Sequence, residues 1–194
     1  MVASDPRPLR ADARRNRDRL LEVAVQAFSH DGPDVPLDAI AREAGVGIGT
    51  LYRHFATREE LVEAAYRSEL AKLCASAGEL LEARKPDDAL RAWMDGFVDY
   101  MTTKRGMADA LRALIASGGD PFSQSRAMLT AAIAELLEAG AAAGLVAPGT
   151  DPEDVLLSLS GLSMAASTPD QQARVGRLLD LLMNGLRYQP TSGR

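Results

Sequence analysis

Apolar residues recur along this 194-residue chain at three- and four-residue steps, the spacing that gathers them on one face of an α-helix. The first stripe, Leu20, Leu21, Ala24, Ala27 and Phe28, predicts a helix over about 12–29, stopped by Gly32. Leu37, Ile40, Ala41 and Ala44 predict a short second helix; Leu51 and Phe55, one turn apart, predict a third that starts at Gly47 or Ile48. Thr57-Arg58-Glu59-Glu60 has the form of a capping box and opens a fourth helix over 57–85, with Leu61, Ala65, Tyr66, Leu70, Cys74, Ala77 and Leu81 on its stripe. Pro86-Asp87-Asp88 opens a fifth, whose stripe is Leu90, Trp93, Met94, Phe97, Tyr100 and Met101. Gly106 separates it from a short sixth helix carrying Met107, Leu111, Leu114 and Ile115. After a loop over 117–121 come a seventh helix over about 122–143, an eighth opened by Asp151-Pro152-Glu153 and reaching 166, and a ninth over about 168–188. No sustained period-two, β-branched run is present, so the predicted fold is all-α, about nine helices with no internal repeat. Residues 1–9, with Asp5, Pro6 and Pro8 and no apolar pattern, read as a disordered arm.

Residues 37–55 are the most specific part of this pattern. Two short helices flank Gly45, which stands where a residue with positive φ ends the first of them, and Val46 follows as an apolar plug. A glycine-containing turn of three or four residues between two helices is the helix-turn-helix arrangement. At roughly 100° per residue, Leu51 and Phe55 define the inward side of the second helix. Gly49 and Arg53 then point away from it, Thr50 lies beside them, Tyr52 and His54 flank this outer face, and Ile48 leans back towards the core. Glycines let backbone approach another molecule, an arginine reaches guanine edges, and Tyr and His donate to phosphates, so this face suits duplex DNA.

The run IAREAGVGIGTLYRHFATREEL, residues 40–61, resembles the DNA-binding signature of TetR-family transcriptional regulators. It has an isoleucine–alanine pair, a glycine–valine turn, a GTLY core, a histidine–phenylalanine pair and a polar–basic–acidic helix opening, in that order. The resemblance covers about residues 10–62. It implies a three-helix DNA-binding head over 10–56 and a ligand-binding and dimerisation domain over 57–194, with the helix over 57–85 connecting them. Two departures stand out: Pro36 where the family has a Thr or Ser, which removes one hydroxyl-to-phosphate contact, and Gly47-Ile48 where Ser-Lys is common. The second removes a cation near the bases and leaves more of the readout to Thr50 and Arg53.

The net charge of −5 stands at odds with a DNA partner until it is divided along the chain. Residues 1–58 carry nine Lys/Arg against eight Asp/Glu; residues 59–194 carry thirteen against nineteen. Within the first part Arg10, Arg14, Arg15, Arg17 and Arg19 face only Asp12 and Asp18 just ahead of the motif. Beside a helix-turn-helix, that cluster reads as a phosphate clamp, and Arg14, Arg15, Arg17 and Arg58 are its candidate contacts. The single cysteine excludes an internal disulfide framework and fits a reducing cytoplasm. No run of 18 uncharged apolar residues and no apolar leader segment is present, so a cytoplasmic protein with no membrane partner is expected.

Other chemistry finds little footing. His30 and His54 are the only histidines and lie 24 positions apart, with no Cys-x-x-Cys, so no transition-metal site is expected. Gly45-Val-Gly-Ile-Gly-Thr50 follows a helix, whereas a nucleotide-binding glycine loop follows a strand. The acidic pairs Glu59/Glu60 and Asp87/Asp88 sit in first helical turns, where they offset the helix dipole. No catalytic residue and no cofactor is expected. The density of large apolar side chains on the fifth helix makes Trp93, Phe97, Tyr100 and Met101 the candidate effector wall, with Tyr66 and Leu70 of the fourth closing one side. The eighth helix carries Val155, Leu156, Leu157, Leu159, Leu162 and Met164, and the ninth repeats Val175, Leu178, Leu182 and Leu186. Together they are expected to pair two chains, because one helix-turn-helix touches too little DNA for useful specificity.

The reading is thus a homodimeric, ligand-responsive regulator, a repressor that leaves a near-palindromic operator when a small apolar or amphipathic effector binds. Its DNA-contacting residues are expected to be Gly47, Ile48, Gly49, Thr50, Tyr52, Arg53 and His54 with the four arginines. The rival is an all-helical small-molecule binding or interaction protein that no longer binds DNA.

Overall fold

The computed structural model describes residues 6–165 and 169–187. Its helices are α1 (Pro6–His30), α2 (Leu37–Glu43), α3 (Ile48–His54), α4 (Arg58–Ala83), α5 (Pro86–Gly106), α6 (Ala108–Ala116), α7 (Ser125–Ala142), α8 (Pro152–Met164) and α9 (Pro169–Leu186). Among the described residues this is the all-helical architecture read from the spacing. The only strand-like feature there is one antiparallel bridge, Val146 to Arg187, with Ala147 N donating to the Leu186 carbonyl at 2.8 Å.

The sequence placed the start of α1 too late. Residues 6–9 of the expected arm are helical, and 1–5 lie outside the described residues. Pro6 and Pro8 fall in the first turn, whose N–H groups have no partner within the helix, so proline there removes no helix hydrogen bond.

Two compact units result. The first holds residues up to Ser68 and Thr103–Pro121; the second holds Glu69–Thr102 and Phe122 onward. In the first, Leu20, Ala24 and Phe28 of α1 are buried with Ile40 and Ala41 of α2, Leu51 of α3, and Leu61 and Ala65 of α4. The expected boundary at 56/57 therefore misses the compact unit. The first three turns of α4 belong with α1–α3, and so does α6, whose Leu111 and Leu114 are buried along with Met107 just before it. Just ahead of α6, Gly106 at the end of α5 packs against α1: a Cβ there would stand 2.9 Å from Ser29 Cβ and 3.1 Å from the Ser29 carbonyl oxygen. Helical spacing shows that α6 has an apolar stripe but not which partner covers it.

In the second unit the core is Leu90, Trp93, Met94 and Phe97 of α5, Ile133 and Leu136 of α7, Val155 and Leu159 of α8, and Val175, Leu179 and Met183 of α9. Asp151 caps α8 by accepting from Glu153 N at 2.8 Å, with Pro152 at the first helical position. Arg91 of α5 ties α9 down, its Nε donating to Asp180 at 2.8 Å and its Nη2 to the Gly176 carbonyl at 3.3 Å. The stripe expected on α9 merged two faces. Val175, Leu179, Met183 and Leu186 are buried, whereas Leu178 and Leu182 are half-buried and Leu181 is 65% exposed. α8 divides likewise, with Val155 and Leu159 inward and Leu157 and Met164 exposed at 73% and 76%. Among the described residues no helix is long and apolar enough to cross a membrane.

Candidate nucleic-acid interface

The turn between α2 and α3 closes as the spacing predicts. Gly45 has φ +72°, Val46 N donates to the Ala41 carbonyl at 2.9 Å and Gly45 N to the Arg42 carbonyl at 3.0 Å. This is the Schellman pattern, which satisfies the last carbonyls of α2 and turns the chain sharply into α3. Leu51, fully buried, and Phe55, 3% exposed, seat α3 on the unit. Behind it Thr57 Oγ1 accepts from Glu60 N at 3.1 Å while the Glu60 carboxylate accepts from Ala56 N at 2.7 Å, so a variant of the capping box, its return bond one residue ahead of the cap, fixes the start of α4.

The outer face of α3 presents Gly49, Tyr52 and Arg53 to solvent, with Thr50 and His54 half-buried at its flanks. Tyr52 is 51% exposed. Arg53 folds back along its own helix, Nε donating to the Gly49 carbonyl at 3.1 Å and Nη2 to Thr50 Oγ1 at 2.8 Å. Spacing gives the direction in which Arg53 leaves the helix but not this tether. Ile48 corrects the angular reading: it is 40% exposed rather than turned into the core. Angle alone points it towards Phe55, but it stands at the first residue of α3, a level beyond the side chains that seat the helix.

Of the four arginines proposed for phosphate, Arg14 is exposed and Arg15 pairs with Asp12 on the surface of α1. Such exposed pairs contribute little and exchange readily for another anion. The Arg17 guanidinium lies over the Phe55 ring, 5.5 Å from its centroid, which brings α1 beside the end of α3. Arg58 already has a structural post: Nη1 donates to the Pro33 carbonyl at 2.7 Å, and the guanidinium lies 6.0 Å from the Phe28 ring centroid. The clamp reading did not single out Arg19, whose guanidinium comes within 4 Å of where a Cβ at Gly45 would stand, against the turn itself.

The residues expected to line an effector site are core. Trp93, Phe97 and Tyr100 are buried with ring centroids 5.9 and 6.1 Å apart in sequence, and Trp93 Nε1 donates to the Leu73 carbonyl at 2.9 Å. Leu70 is 2% exposed and Met101 half-buried. Tyr66 belongs to the first unit, where Lys104 Nζ sits 5.8 Å from its ring centroid and burial pushes the lysine pKa down. A cleft of about 210 Å³ between Leu137 and Ala141 of α7 and Thr150 and Pro152 at the start of α8, and one of about 90 Å³ between Pro33, Arg58 and Leu114, touch none of these six residues.

A glycine turn that sets one short helix against a buried seat, with its polar face outward, defines a helix-turn-helix protein of the DNA-binding class. Residues 20–65 match the family described as bacterial regulatory proteins, tetR family, and residues 85–188 match the SbtR-like transcriptional regulator C-terminal domain. The chain belongs to the TetR family of transcriptional regulators. It is similar to the crystal structure of a TetR transcriptional regulator of Streptomyces coelicolor, at 52% identity and TM-score 0.84 over 91% of this chain and 99% of that one. A TetR regulatory protein of Mycobacterium vanbaalenii is 36% identical, with TM-score 0.77, over 93% of this chain and 100% of that one. An HTH-type transcriptional regulator of Staphylococcus aureus is 43% identical over 54 residues, 27% of this chain. The chain spans 29% of the length of the curated relatives it matches.

Proposed function

We propose that the chain binds a near-palindromic operator as a homodimer and represses transcription until a small apolar or amphipathic effector releases it. The observation that carries this reading is the outer face of α3, where Gly49, Tyr52 and Arg53 stand in solvent on a helix whose opposite side is fully seated. Arg53 and Thr50 would read base edges; Tyr52 and His54 would position the backbone, with Gly47, Ile48 and Gly49 at the near end of the helix. Arg14, Arg15 and Arg17 would bind phosphates, joined by Arg19 beside the turn and by the donors of Arg58 that Pro33 does not hold.

Dimerisation is assigned to α8 and α9. Leu157, Gly161 and Met164 recur at helical steps on one exposed face of α8, and Leu181 and Gly185 do so on α9. A Cβ at Gly161 or Gly185 would meet nothing within 4 Å, so these positions leave room for a second helix to approach. A two-fold pair would set two α3 helices for half-sites about one helical turn apart, ~34–36 Å.

Effector binding is assigned to the second unit beside Trp93, Phe97, Tyr100, Met101 and Leu70, where an apolar molecule would have to displace packed side chains. Tyr66 drops out of that wall because it belongs to the first unit. Ligand would act by favouring a conformer that binds DNA less well. Mobility shift with the DNA upstream of the protein's own gene tests the reading. A retarded band that competitor DNA of unrelated sequence does not remove is expected; equal competition by any duplex would refute it. A compound that both quenches Trp93, the only tryptophan, and dissolves that band would identify the effector class.

A further inference from the structure

Gly47-Ile48-Gly49 places a large aliphatic side chain between two positions that have none. Ile48 keeps 40% of its surface exposed, while Leu51 and Phe55 on the same helix are buried. The two glycines are not explained by the chain's own packing. A Cβ at Gly47 or Gly49 would meet no heavy atom within 4 Å. Gly47 has φ −73°, and Gly49 is not among the glycines with positive φ, so neither backbone demands glycine. Gly47 is the N-cap, which glycine serves about as well as threonine, but Gly49 lies inside the helix and weakens it, because glycine has more backbone freedom to lose. The first turn of α3 is therefore a cleared shelf with one apolar knob, at the end of the helix that carries Arg53.

We propose that Ile48 is a specificity-determining residue that reads the C5 methyl of a thymine in the major groove, so that each operator half-site contains one thymine whose methyl group is required. This rests on the DNA-binding reading above and deepens it. An isoleucine side chain has no donor or acceptor, so it cannot distinguish base edges by hydrogen bonding. The thymine methyl is the apolar group that unmodified base pairs display in the major groove. The empty positions on either side let the Ile48 methyls reach that depth without a neighbouring side chain striking the bases or phosphates first. The exposed flank of Tyr52, one turn along at i+4, continues the same strip and lies over the adjoining sugar–phosphate edge. Arg53, set about 140° round the helix from Ile48, is left to a guanine at a separate position.

The test uses a duplex selected by the full-length wild-type chain from random sequence. Each thymine of one half-site is replaced in turn by deoxyuridine, which removes only the methyl group. One position should lose about fourfold in affinity, the factor that corresponds to one buried methyl-sized group. In Ile48→Ala that replacement should no longer matter, while Ile48→Val, which keeps two methyls, should retain the discrimination. Ile48 is exposed, so both variants should keep the wild-type circular dichroism and melting curve. If the wild-type chain binds its selected duplex but tolerates uracil at every position, the Ile48 assignment is wrong and the DNA-binding reading stands. The assignment also fails if the same thymine stays equally sensitive in Ile48→Ala. If no duplex is enriched at all, the DNA-binding reading fails, and this inference with it.

Discussion

Arg53 rests against its own helix, held by the Gly49 carbonyl and the Thr50 hydroxyl. Reaching a guanine means giving up two exposed hydrogen bonds, each contributing about 0.5–1.5 kcal/mol at most, for a bidentate pair that discriminates by about 1–3 kcal/mol. The exchange is close to balanced on the right base and unfavourable on a wrong one, which makes the tether compatible with readout. Arg53→Ala is expected to cost ~1–3 kcal/mol at one operator position and relax the preference there, whereas Tyr52→Phe should weaken all sequences about evenly. Titration of both variants against single-base operator variants checks this; an unchanged preference in Arg53→Ala would remove Arg53 from the reading set. Cys74 offers a residue-scale test of the second unit. Burial raises its thiol pKa, so less thiolate is present at any given pH and alkylation should be slower than in the unfolded chain. The native rate should reach half its plateau at a higher pH than the rate of the unfolded chain does. A native midpoint at or below that of the unfolded chain would contradict the burial. At this scale the sequence was legible where geometry is periodic: Leu51 and Phe55 inward, Arg53 outward. It failed for Ile48 because helical angle describes direction around an axis and not height along it.

The helices announce themselves through their ends. Thr57 caps α4 by accepting from Glu60 N while the Glu60 carboxylate accepts from Ala56 N, Asp151 caps α8, and Gly45 closes α2, each at its expected residue. Which helix a stripe faces was not legible. The apolar residues of α6 could have completed either unit, and the structure gives them to the one that holds α1 and α3. Just ahead of α6, the last residue of α5, Gly106, lies tight against Ser29 of α1 within that unit. Gly106→Ala would insert a methyl group where less than 3 Å is available, so either the end of α5 or the end of α1 must shift. A destabilisation of ~1–3 kcal/mol is expected from overpacking, read as a lower urea midpoint with unchanged slope. An unaltered midpoint would mean that the two segments are not in contact in solution. α8 and α9 were misread for the opposite reason. Each has apolar residues on two faces, and spacing alone treats two faces as one broad stripe. The aromatic run of α5 was legible as a feature but not as a site, since the same residues serve a packed core equally well. Trp93 satisfies its own indole N–H within that core.

For the whole molecule, the family resemblance rests on a motif within about residues 10–62, while the proposed dimer rests on what the fold leaves uncovered. Leu157, Met164 and Leu181 expose apolar surface that a lone protomer has no use for. Leu181→Glu should leave the monomer folded, because the side chain is 65% exposed, and should split the dimer by placing a carboxylate against its symmetry mate. Sedimentation velocity decides it, and a variant that stays dimeric would place the interface elsewhere. The acidic balance of residues 59–194 makes the head the natural seat for phosphate, and it has a consequence for the central claim, that α3 reads sequence on duplex DNA. The most direct measurement is the affinity of the wild-type chain for its selected operator and for a scrambled duplex of equal length, titrated together across a salt series. The account predicts a preference of about 10³ or more at physiological salt, with both affinities falling steeply as salt rises. Equal affinity for the two duplexes at every salt concentration would show electrostatic attraction without reading, and would contradict it.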